Sequence, residues 1–141
     1  MAYSEILKKK VSDLLKAYSR LKECKEFHFD HIINVELSAK RFEYTYEVMW
    51  KTIKLFLLEE KGLECFSPMD CFKLAFQVGL IPENLELTFV QMVRKRNDIV
   101  HIYNDEVANE IYSSIVPGYI DAIGTVINNL IEAQGDTKAN S

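Results

Sequence analysis

A chain of 141 residues with 48% hydrophobic and 27% charged residues has the balance of one globular domain with its own core, which excludes a disordered chain. Its net charge of -4 argues against a protein that coats nucleic acid or an anionic membrane through general electrostatics. No apolar run approaches a membrane span, and the opening MAYSEILKKK lacks the apolar core of a secretory signal, so the expected location is the cytoplasm with no membrane association.

From Tyr3 to about Lys25, Leu7, Val11, Leu14, Tyr18 and Leu21 recur at spacings of four and three, the stripe of an amphipathic helix. Asp30 is a candidate N-cap for a second, longer helix to about Lys61, with Phe42, Tyr46, Met49, Trp50, Ile53, Phe56 and Leu57 on its buried side and Gly62 as its stop. Ser67, Pro68 and Asp70 start a short third helix that ends near Gly79. Pro82 and Glu83 open a fourth, which carries Leu85, Phe89, Met92 and Val93 inward. Asn104, Asp105 and Glu106 open a fifth, and Pro117–Gly118 interrupts the helical pattern between Val107 and Ile131, so a kink or break belongs there.

No segment alternates as a strand does, so the expected fold is all-α, an antiparallel up-and-down bundle of four or five helices. One domain is expected over residues 1–134, followed by a flexible tail from 135 to 141. The apolar load on the helices exceeds what a four-helix core requires, which predicts a homodimer face. Cys24, Cys65 and Cys71 are odd in number and lack ligand spacing, so they read as reduced core thiols. His28 and His31 are three apart but lack a third ligand, and they read as surface residues; no metal site is expected.

The densest chemistry lies between Arg94 and Tyr103. Arg96 can clamp a phosphate through parallel hydrogen bonds, and His101 can move protons near neutral pH. On an ideal helix Arg96 and Tyr103 share a face while His101 sits roughly 140° away. The three therefore converge only if the helix breaks between Asn97 and Asn104, or if two subunits meet across a two-fold axis. From spacing alone a second reading stands beside this one, with Arg96 and Asp98 on a solvated face, His101 at a helix end and Tyr103 in a core.

Two stretches carry a resemblance. Arg96-Asn97-x-x-x-His101-x-Tyr103 resembles the R-x4-H-x-Y motif of HEPN-domain proteins, and Arg41-Phe42-Glu43-Tyr44-Thr45-Tyr46-Glu47-Val48-Met49-Trp50-Lys51-Thr52 resembles the signature of nucleotidyltransferase substrate-binding proteins, a HEPN branch. The resemblance implies a usually dimeric helical bundle that pairs with a minimal nucleotidyltransferase encoded nearby. It also implies a second possibility, a metal-independent endoribonuclease toxin of a toxin–antitoxin pair, silenced when the partner modifies a tyrosine with AMP. Carried over residue by residue, Arg96 and His101 are the catalytic pair, Asn97 their polar support and Tyr103 the binding and modification residue, with a nucleotide or RNA as substrate.

Glu43 and Glu47 lie one turn apart on the second helix. Glu47 beside Lys51 reads as an ordinary surface pair, which leaves Glu43 as a candidate binding residue. There is no glycine-rich phosphate loop, no H-E-x-x-H and no glycine-serine with paired aspartates, so any transferase chemistry belongs to another chain, and no cofactor is expected here.

Overall fold

Local signals start and stop the helices. The computed structural model describes residues 3–26, 28–101, 105–114 and 118–139, with the side chains of 99–101, 105, 107, 108 and 135–139 excepted. Ser4 caps the first helix, α1 (Glu5–Lys22), by accepting a hydrogen bond from the Leu7 amide at 3.1 Å. A 3₁₀ turn, Glu23–Glu26, leads away from it.

Asp30 does occupy the N-cap position of α2 (His31–Lys61), yet its side chain makes no capping bond. Gly62, at φ +66°, ends α2, and the Leu63 amide reaches back to the Leu57 carbonyl at 2.9 Å. That left-handed conformation needs glycine, because a Cβ there meets the following carbonyl.

Ser67 accepts from the Asp70 amide at 3.2 Å and Pro68 fills the first turn of α3 (Pro68–Gln77). A second 3₁₀ turn, Glu83–Leu85, precedes α4 (Glu86–His101), which is followed by α5 (Asp105–Ser114) and α6 (Ile120–Ala139). Among the described residues there are six helices and no strand, an all-α bundle. The count exceeds the four or five expected because α5 ends at Ser114 and α6 begins at Ile120. The Pro117–Gly118 pair lies between them, and a proline has no amide to donate to a continuing helix. The last helix, α6, continues to Ala139.

α2, about 46 Å long at 1.5 Å per residue, is the central element and packs against α1, α3 and α5. Its contacts with α1 fix their relative direction. Arg41 reaches the Arg20 carbonyl, Thr45 the Ala17 carbonyl and Thr52 the Lys10 carbonyl, so the two helices run antiparallel. A chain of rings fills the core beside α2: Tyr46 meets Phe72 edge-on at 5.8 Å, Phe72 meets Phe89 at 5.1 Å, and Phe42 stacks on Tyr119 at 5.2 Å. α6 closes over α1, where the buried Tyr3 hydroxyl donates to the Leu130 carbonyl at 2.7 Å.

The cysteines correct the sequence reading. Cys65 and Cys71 form a disulfide, with Cα atoms 5.2 Å apart, because the turn after Gly62 brings the start of α3 back against the α2–α3 connection. Cys24 remains a buried free thiol, which leaves one of three cysteines as expected. Among the described residues no helix is long and apolar enough to cross a membrane.

Candidate functional site

Arg96 sits one turn beyond Met92 and Val93, which with Phe89 are buried on α4, and so lies at the edge of the same helix face. That position carries its side chain across to α2. There Nη2 donates to Glu47 Oε1 at 2.5 Å, and Cζ stands 5.8 Å from the centre of the Tyr46 ring. The two charged side chains are 26% and 30% exposed, so the pair is screened less than an open surface pair while each partner still reaches solvent.

Glu47 serves several partners. Its Oε2 accepts from the Trp50 indole at 3.1 Å and lies 3.7 Å from the Lys51 ammonium. The expected Glu47–Lys51 pair therefore exists, but the stronger and shorter bond goes to Arg96. Beneath it, burial raises the Tyr46 phenol well above its ordinary pKa, with Arg96 opposing that rise and Glu47 adding to it. Two buried polar atoms at this spot, Arg96 Nε and Tyr46 Oη, have no hydrogen-bond partner among the described residues. Buried polar groups are nearly always paired, so this pair of atoms marks unused donor capacity beside the guanidinium.

Asn97 follows Arg96 and is exposed, while Glu43 is half-buried one turn before Glu47. His101 is the last residue of α4; its side chain, and all of Tyr103, lie outside the described residues. The structure thus brings Arg96 to Glu47 and Tyr46, two residues that spacing along α2 assigns to a surface pair and to the core. A signal for Glu47 was present, since a carboxylate flanked by Tyr46, Met49 and Trp50 at the margin of an apolar stripe needs a cation close by.

The surroundings tie this end of the bundle together. Lys95 pairs with Glu110 of α5, and that hydrogen bond holds its ammonium above the ordinary lysine pKa. His31 bonds Asn109 at 3.0 Å and meets Tyr112 edge-on at 5.7 Å. Although exposed, it is a link between α2 and α5 and not an idle surface residue. Among the described residues no group of three His, Cys, Asp or Glu side chains is placed to hold a metal ion.

Residues 9–132 match the model of the family described as nucleotidyltransferase substrate binding protein like. The chain belongs to that family. The match spans both halves of the Arg96–Glu47 pair and the whole Arg96–Tyr103 segment. A Thermus thermophilus protein known from its crystal structure is similar to this family member, with 32% sequence identity and a TM-score of 0.75, covering 83% of this chain and 98% of the other. No curated protein matches it. The fold of this nucleotidyltransferase substrate-binding-like protein therefore stands on two independent likenesses.

Proposed function

We propose that this chain is the substrate-binding and partner subunit of a two-protein complex with a minimal nucleotidyltransferase, working as a cytoplasmic homodimer of HEPN type. Arg96, Asn97, His101 and Tyr103 form its site, and Glu47 fixes the arginine. The observation that carries this reading is the Glu47–Arg96 bond, within the residues that match the family. It holds a guanidinium in one orientation at a solvent-reachable position, the pre-organisation a binding site requires.

The same bond weighs against the ribonuclease alternative. A catalytic arginine for phosphodiester cleavage must present its charge to the scissile phosphate, with His101 taking the ribose 2'-hydroxyl proton. Here a carboxylate already engages that charge and repels an incoming phosphate. Glu43, half-buried on the same helix, joins Glu47 as acidic lining of the site. The dimer reading draws support from Ile32 and Ile33, two large apolar side chains exposed in the first turn of α2.

The test is co-expression with a short nucleotidyltransferase encoded beside this chain. Co-purification of the two, with growth unaffected by this chain alone, is expected. An intact mass raised by one AMP, and lost in Tyr103→Phe, would place the modification. Growth arrest and RNA fragmentation by this chain alone, abolished in His101→Ala, would overturn the subunit reading in favour of a toxin.

A further inference from the structure

Glu47 meets Arg96 in a way that leaves half of the guanidinium edge unused. The Nε–H and one Nη2–H of an arginine point the same way and form a fork that matches two oxygens of a carboxylate or phosphate. Glu47 does not fill that fork. Its Oε1 takes Nη2 alone, while its Oε2 accepts from the Trp50 indole at 3.1 Å and lies 3.7 Å from the Lys51 ammonium. The buried Nε is left without a partner. An unpaired buried donor is costly, so this single-armed bond is poorer than the two-armed one the guanidinium could make.

Both residues have a second arrangement to adopt. Glu47 lines a groove of about 240 Å³ between α1 and α2, whose walls also carry Lys10 and Lys51, with Asp13 as an opposing charge. A Glu47 side chain turned into that groove has two ammonium groups to meet. Arg96 keeps a neighbour as well, because its Cζ lies 5.8 Å from the centre of the Tyr46 ring, and an aromatic face holds a guanidinium without a carboxylate.

We infer that Glu47 gates Arg96: an oxyanion takes the Nε–Nη2 fork through two parallel hydrogen bonds, Glu47 turns into the groove toward Lys10 and Lys51, and the carboxylate returns when the oxyanion leaves. No covalent step is involved. The inference rests on the reading of Arg96 as a binding residue and adds how that site is closed at rest. Glu47 imitates the ligand it excludes, since a carboxylate is itself an oxyanion. Cations and neutral molecules gain nothing by displacing it, whereas an oxyanion gains the Nε bond that Glu47 leaves unmade. The competition also keeps the hold on a ligand weak, as suits a subunit that passes a substrate to a partner.

Trp50 reports on the gate. It is the single tryptophan of the chain, and its indole N–H bonds the carboxylate that moves.

The experiment is titration of the full chain, without any partner, with inorganic pyrophosphate and, in a parallel arm, with citrate. The two arms distinguish a phosphate ligand from a carboxylate one. Affinity is read by calorimetry and the gate by the Trp50 indole N–H resonance in NMR spectra. Binding of at least one anion is expected to shift that resonance. It should be about tenfold tighter in Glu47→Gln and at least about tenfold weaker in Arg96→Lys, which keeps the charge but has no fork. Circular dichroism checks that both variants fold. α1 and α2 also line a basic cleft with Lys16, Arg20 and Lys40, and an anion settling there would be indifferent to Arg96→Lys. Binding that leaves the indole resonance in place, or that Glu47→Gln does not tighten, would overturn the gate; if Arg96→Lys still weakens it, Arg96 stands as a binding residue. No binding to Glu47→Gln at about 10 mM, or binding indifferent to Arg96→Lys, would overturn the gate and the Arg96 site together.

Discussion

Glu47 and Arg96 are 49 residues apart in the chain and 2.5 Å apart in the fold, and they join the two stretches that carry the family resemblance. Their bond should be measurable as a coupling. In a double-mutant cycle of Glu47→Ala and Arg96→Ala by urea unfolding, an interaction of about 1 kcal/mol is expected for a half-buried pair. Additive single effects would mean that the bond adds nothing to stability.

The Cys65–Cys71 disulfide closes a short loop, with the cysteines six positions apart in sequence. Chain-entropy reasoning assigns such a loop about 2 kcal/mol, acting on the unfolded state. Reduction, or Cys71→Ser, should lower the Tm by roughly 5 °C in a domain of this size. Non-reducing peptide mass mapping that found no linked peptides in air-oxidised protein would contradict the bond.

Gly124 of α6 faces the Tyr18 ring of α1. A Cβ built at position 124 would stand 3.0 Å from Tyr18 Cζ and collide with its hydroxyl. Alanine is otherwise the better helix former by about 1 kcal/mol, so the two effects oppose each other. The clash should win: Gly124→Ala is expected to destabilise by about 1 kcal/mol net, and adding Tyr18→Phe should recover most of the loss. Thermal melts of the single and double variants decide it, and a Gly124→Ala more stable than the native chain would deny the close approach.

Four tyrosines make the fold sensitive to alkali. Burial raises the Tyr3 phenol to about 12, reinforced by Glu60, and burial also raises Tyr18, Tyr46 and Tyr119. Each binds its proton more tightly folded than unfolded. The associated stability is therefore complete below pH 10 and is lost as pH rises from 10 through the folded values. Denaturant midpoints should be flat up to about pH 9 and fall beyond pH 10, with a shallower fall in Tyr3→Phe. Equal midpoints at pH 9 and pH 11 would refute the linkage.

Much of the bundle was legible along the chain. Gly62, Ser67–Pro68 and Pro82 act within one turn of themselves, so the boundaries they set follow from local backbone chemistry. The apolar stripe of α2 likewise named Phe42, Tyr46, Met49 and Ile53, all buried, because period alone decides which side of a helix leaves water. The Cys65–Cys71 bond was not legible. Pairing depends on how the α2–α3 turn folds back, and a count of three thiols carries no information about that distance.

The sequence by itself determined the helices, their faces and the family, since each rests on residues within a few turns of one another. Only the tertiary structure decided what Arg96 touches. The choice of Glu47 over Glu43, and the closing of Lys16, Arg20 and Lys40 around one cleft, depend on the rotation and depth at which α1 and α4 settle against α2. Those quantities are set by side-chain packing across helices, which no periodicity within one helix encodes.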